Sequence, residues 1–343
     1  IAFQAVDNCN NTSEKVTDTN HVLVVDTISP VMSAQYSAPN RIVNGRMYYN
    51  SGMTATFTVN EANFNKDNVV VRLLKGDGTE TALTPEWRDD SPDLHTGVCT
   101  IAASADHSTD GDYMIQVDYT DMSGNKMSTY QSDMFTLDTI KPEIHVEYKN
   151  IVPSNTSRDT EGNLRNYFSS TQTAVVTVEE HNFDPNTVKL DILAKDVTGN
   201  NLNAESFYSK TAWTNEGDIH TVTIMYPGDA NYTFDISCSD IAENESEDYA
   251  KDYFTVDTQK PSNLQITYSK SLLDTILSNI TFGFYNAKAT VTISATDNIS
   301  QIHSFKYSYV SAAGVSSVNA ELAEQQIGES AIQYSGDGVS ATA

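Results

Sequence analysis

The side chains best placed by spacing to do chemistry in this chain are carboxylates. Asp26, Asp138 and Asp257 each stand inside a nearly identical phrase, "VVDTISP", "TLDTIKP" and "TVDTQKP". Each phrase follows a turn with an aspartate of its own, Asp7, Asp121 or Asp240. Two chemistries fit. An Asp that opens a turn accepts hydrogen bonds from the backbone just after it, and aspartates from two turns meeting at one junction are hard oxygen ligands for Ca²⁺. Asp26, Asp121, Asp138, Asp240 and Asp257 are therefore the candidate metal ligands, with turn capping as the simpler role. None of these stretches has the spacing of an EF-hand loop. Glu61 in "NEANF" and Glu180 in "EEHNF" carry the same alternatives, a turn acceptor or a member of a cation site.

Other chemistry is hard to find. The sequence holds no HExxH, Walker loop, GxSxG or CxxC. His95 and His220 occupy matching places in "DLHT" and "DIHT", which points to packing; His181 and His303 have no counterpart. No catalytic residue and no organic cofactor is expected. Cys9, Cys99 and Cys238 are odd in number and lack metal spacing, so free, mostly buried thiols are expected. A Lys-to-Asn or Lys-to-Asp isopeptide link would need a buried Lys, and none faces inward on the assigned strands.

The elements that position these groups repeat. The three phrases place their aspartates 112 and 119 residues apart, about one domain each. After each Pro a short apolar alternation runs to Tyr36, Tyr148 and Tyr268, and a Pro suits the start of an edge strand. An aromatic and Asn element follows: "YYN" at 48–50, "NYF" at 166–168 and "FYN" at 284–286. Next come strands with Ala55, Phe57 and Val59, or Ala174, Val176 and Val178, or Ala289, Val291 and Ile293, expected to face inward. Val69, Val71 and Leu73 then match Val188, Leu190 and Ile192, and Trp87 matches Trp213. "DGDY" and "DANY" open penultimate strands whose Tyr113 and Tyr232 read as tyrosine corners. Residues 1–26 fit a final pair of strands, with Ile1, Phe3, Leu23 and Val25 inward; the unpaired edges at both ends suggest head-to-tail completion or missing segments. A helical turn is expected only within 319–327. A polar stretch at 150–165 has no counterpart in the first repeat, and any private ligand is expected there. Tyr48, Tyr49 and Tyr167, in the less regular segment, are the aromatics available to a sugar.

At 343 residues the chain exceeds one core. Its formal charge of −26 disfavours nucleic acid and anionic membranes and favours solubility, with cation binding second. No apolar run approaches the roughly 20 residues of a membrane helix. About seven short strands per repeat, with turn signals between them, describe an all-β chain of tandem immunoglobulin-like β-sandwich domains in an elongated array.

The motifs "E-x-N-F", "DG-x-Y" and "D-x-S-G-N", followed by "F-T-x-D-T-x-x-P", resemble the bacterial immunoglobulin-like repeats of large Gram-positive surface proteins of the adhesin type. "DIAEN" departs from the pattern, and the third repeat has "SATDNIS" in place of E-x-N-F. The resemblance implies four pieces: 1–26, the last strands of one domain; 27–138 and 139–257, whole domains; and 258–343, a partial or variant one. It implies a non-enzymatic extracellular stalk, attached to the cell wall through other parts of its parent protein. The alternative is a module that itself binds a host glycan, matrix protein or immunoglobulin. Neighbouring domains of the same chain are the expected partners, and Ca²⁺ the one candidate ion.

Overall fold

The computed structural model describes residues 1–19, 21, 25–159, 161–269, 290–307, 325–327, 332–336 and 339–343. Two compact units are seen: the first carries Ile1–Ile140, the second Lys141–Asp240 and Asn244–Ala343.

In the first unit, two antiparallel-rich sheets face each other. One has the order Val31–Tyr36, Met53–Asn60, Leu94–Ile101, Glu86–Ser91. The other has the order Arg41–Val43, Arg46–Tyr49, Phe135–Leu137, Gly111–Tyr119, Val69–Lys75, Glu80–Leu83. The strand after Pro30 is an edge, as a residue without an N–H donor favours. The chain then crosses to the other sheet, where Arg46–Tyr49 runs parallel to Phe135–Leu137. This order defines an immunoglobulin-like sandwich. Alternation drives it: in Met53–Asn60 every second residue is buried and the threonines between are half-buried. Phe57, Ile115, Val117, Phe135 and Leu137 are fully enclosed, and truncating Phe57 to Ala would cost about 3–5 kcal/mol.

The second unit repeats the plan. Glu143–Tyr148, Gln172–Glu179 and Ile219–Tyr226 form one sheet, completed by the short strand Ser209–Lys210. Asn155–Arg158, Leu164–Phe168, Asp252–Val256, Ala230–Ser237 and Lys189–Lys195 form the other. Ala174, Val176 and Val178 are wholly buried, as expected. Both tyrosine corners are made: Tyr113 Oη donates to Thr109 O (2.6 Å) and Tyr232 Oη to Gly228 O (2.7 Å). Beyond Pro261, Ser262–Ser269, Thr290–Thr296, Ser340–Thr342 and Gln333–Tyr334 make a further sheet around Ala295, Ile302 and Phe305. The chain is thus all-β, built of tandem immunoglobulin-like β-sandwiches.

Five expectations need correction, the last in part. The first concerns the register of the aromatic element. Thr136 pairs with Tyr48 and Thr255 with Tyr167, so Tyr48 and Tyr167 hold equivalent positions. Matching the two motifs by sequence sets Tyr48 against Asn166, which is one residue out. Second, the stretch 150–165 is not private in fold. Both repeats build a strand pair there, closed by Asn44-Gly45 in one and by a longer connection from Arg158 to Leu164 in the other. Third, Ile1, Phe3 and Val25 are exposed, because among the described residues the hairpin Ala2–Phe3 with Val16–Thr17 has no second sheet against it; Leu23 lies outside them. Fourth, Val291 is exposed although it shares a face with the buried Ala295. Of the helical turn expected in 319–327, residues 319–324 lie outside the described residues, and Gln325–Ile327 is a strand paired with Phe305–Tyr307. The motif at 284–286 and Ala289 also lie outside them.

Candidate metal centre

Three loops at one pole of the first sandwich bring Asp26, Glu61 and Asp121 together. One carboxylate oxygen from each lies within 4.8 Å of the others. Ca²⁺ holds its oxygens at about 2.3–2.6 Å, so ligand atoms of one ion stand at most about 5 Å apart, and this set meets that limit.

Each member is held by its own local chemistry. Asp26 Oδ1 accepts from Ile28 N (2.9 Å), the turn cap expected from the sequence, while Oδ2 accepts from Asn63 Nδ2 (2.8 Å). Asn125 Nδ2 donates to Asp26 O (3.2 Å). Glu61 ends the alternating strand, is buried, and accepts from Asn63 N through Oε1 (2.7 Å). Its Oε2 makes no hydrogen bond among the described residues. Asp121 Oδ1 accepts from Ser123 N and Asn125 N, both at 2.8 Å, and Oδ2 from Asn125 Nδ2 (2.8 Å). Burial pushes the Asp121 carboxyl up, but the donors on Asn125, Ser123 and Gly124 outweigh it and hold it below the usual carboxylate range. The ion pairs of this unit use other acids, among them Asp89, Asp90, Asp110, Asp112 and Asp118. Among the described residues no cationic side chain pairs with these three carboxylates, an arrangement that suits a hard cation.

A wall of rings supports the pole. His95 Nε2 bonds Glu61 O (2.9 Å), and its ring stacks on Phe64 at 4.2 Å, with Trp87 5.0 Å from Phe64. The second unit repeats this: His220 Nε2 bonds Glu180 O (2.8 Å) and stacks on Phe183 at 4.3 Å, beside Trp213. The two histidines pack, as their matching places imply.

The remaining candidates are placed as follows. Glu180 and Asp240 are buried in the second unit, with carboxylate oxygens within 4.8 Å. Asp138 ends the first unit, where its N–H donates to Tyr49 O (2.9 Å) and its Oδ1 accepts from Ile140 N (3.1 Å). Asp257 belongs to no group of three acids among the described residues. Burial first, and then the like charges of Asp297 and Asp229, push its carboxyl up, against a lowering hydrogen bond from Ser300. Asp7 keeps to its own turn, capped by Cys9 N and Asn11 N at 2.8 Å.

Sequence reasoning misses two features. It offers Glu61 as a turn acceptor or a cation ligand, but only the fold joins that residue to Asp26 and Asp121. The turn of Asp121 is also one of several with the same Asp-x-x-x-Asn bonding, including Asp159 with Asn163 and Asp196 with Asn200; that spacing is visible in the sequence. A further trio, Glu143, His145 and Glu179, is exposed on one sheet, where His145 Nε2 pairs with Glu143 Oε1 at 3.3 Å.

No protein-family model matches this chain, and no curated protein matches it significantly. Among solved structures, that of FdeC, a broadly conserved Escherichia coli adhesin, is similar with a TM-score of 0.32 and 10% identity, over 91% of this chain and 87% of that one. A likeness so distant carries no argument about the site. No helix among the described residues is long and apolar enough to cross a membrane.

Proposed function

We propose that this chain is a non-enzymatic, extracellular spacer segment of a bacterial surface protein of the adhesin type. One observation carries the reading: the Asp-Thr phrase and the module after it are both bonded to the sandwich before them. Thr258 donates to Asp229 of the sandwich before it, and Asn231 Nδ2 of that sandwich donates to Ile299 O of the module after it (3.0 Å). A spacer needs links that transmit orientation, and such a clamp supplies it. The Asp26, Glu61 and Asp121 carboxylates would hold Ca²⁺ and fasten the incoming link to its sandwich, with Asp138, Asp240 and Asp257 as the repeat counterparts by sequence. The Gram-positive, wall-attached setting rests on the motif resemblance alone.

The test is nitrogen-15 relaxation on the full chain. Common tumbling of residues on both sides of Asp257 is expected. Independent tumbling would overturn the spacer reading.

A further inference from the structure

The second unit carries a groove of about 440 Å³, continuous through Ser157, Tyr167, Ser300, Gln301 and Tyr334 with a second hollow of about 220 Å³. The larger lies within the ordinary range of ligand sites. Three tyrosine rings line it, and each is fixed. Ser157 Oγ donates to Tyr167 Oη (3.3 Å), the Arg165 guanidinium lies 5.9 Å from the Tyr253 ring centre, and Tyr334 Oη donates to Ile302 O (2.6 Å). Rings held in place present stacking faces without an ordering cost on binding.

Between the rings stand polar groups with capacity to spare. The Gln301 amide and the Lys195 ammonium make no hydrogen bond or ion pair among the described residues. Gln301 also adopts φ +65°, a left-handed backbone that a side chain of its kind rarely takes, and strain of this sort gathers at ligand sites.

The lining selects the ligand. An apolar ligand needs apolar walls, and these are mixed. A phosphate group is opposed by the carboxylates of Asp159, Glu161 and Asp196 in the lining, against which Lys195 stands as the uncommitted cation, since Arg165 donates to Tyr232 O and Phe254 O, and Arg158 to Gly162 O. Nucleic acid is opposed by the chain's charge of −26. A ring with apolar C–H faces and hydroxyl edges satisfies both the tyrosines and the amide. We propose that this groove binds a short oligosaccharide, stacked on Tyr167, Tyr253 or Tyr334 and hydrogen-bonded to Gln301. The inference does not depend on the spacer role, since common tumbling and an empty sugar screen would uphold one and sink the other.

The experiment uses the full chain and saturation-transfer NMR with neutral oligosaccharides and with ones ending in a carboxylated sugar. Saturable binding at a Kd of about 1 mM or tighter is expected for at least one probe. Gln301→Gly removes the amide while relieving the backbone, so it should fold normally and weaken that binding at least about fivefold. Tyr334→Ala, checked for an unchanged melting curve, should do the same. No binding by any probe up to about 10 mM overturns the proposal, and so does binding that Gln301→Gly leaves unchanged.

Discussion

Thr258 gives both its backbone N–H and its hydroxyl to Asp229 Oδ1, each at 2.9 Å, although 29 residues separate them. Thr139 makes the same bonds to Asp110, its N–H at 2.8 Å from Oδ2. The acid that opens each tyrosine-corner strand therefore also holds the Thr of the next link. Sequence spacing shows both motifs, but not that they bond to each other.

Replacing Asp110 with Ala should cost about 1–3 kcal/mol, because it leaves half-buried donors on Thr139 without an acceptor, and replacing Asp229, whose bonds are exposed to water, about 0.5–1.5 kcal/mol. Amide exchange at Thr258 or Thr139 should quicken in the matching variant. Unchanged exchange would show that the clamp does not restrain the link.

Calcium supplies the second test. A ligand bound by the native state alone raises stability by an amount that grows with its concentration. The melting temperature should rise with CaCl₂ and fall with chelator, and Glu61→Gln should shrink that difference. Identical thermograms in both solutions would leave turn capping as the whole role of Asp26.

Much of the fold was legible because burial enforces a period of two: Ala55, Phe57 and Val59 are all enclosed. Where no described residue covers one face, as at Phe3 and Val291, the same pattern misleads. The aromatic register goes one residue astray because Tyr48 and Tyr167 sit on strands too short to alternate clearly. The site was legible in part. Asp26 and Asp121 belong to repeating phrases, whereas the place of Glu61 beside them depends on chain topology.

Thiol reactivity separates the three cysteines. Cys9 is exposed, while Cys99 and Cys238 are buried, in keeping with mostly buried free thiols, and each of those two is pushed by burial up to about 11. At pH 8 one thiol should react quickly with a disulfide reagent, and the other two only on unfolding. Rapid modification of Cys99 in the native protein would contradict the inward face of Leu94–Ile101.

Two tyrosines of one aromatic cluster should respond oppositely to loss of the hydroxyl. Tyr232 Oη lies 2.8 Å from Phe207 O and 2.7 Å from Gly228 O, with one proton to share between these two acceptors, whereas the fully buried Tyr226 Oη has no partner among the described residues. The rings are close, 5.1 Å between centres, so they share one environment. Tyr232→Phe removes the one donor that these two carbonyls share and should lower stability by about 1–2 kcal/mol. Tyr226→Phe removes an unsatisfied polar atom and should be neutral or stabilising by up to about 1 kcal/mol. Denaturant titration of both variants measures the contrast. A loss above about 1 kcal/mol in Tyr226→Phe would mean that its hydroxyl bonds to an internal water, and the two residues would then behave alike.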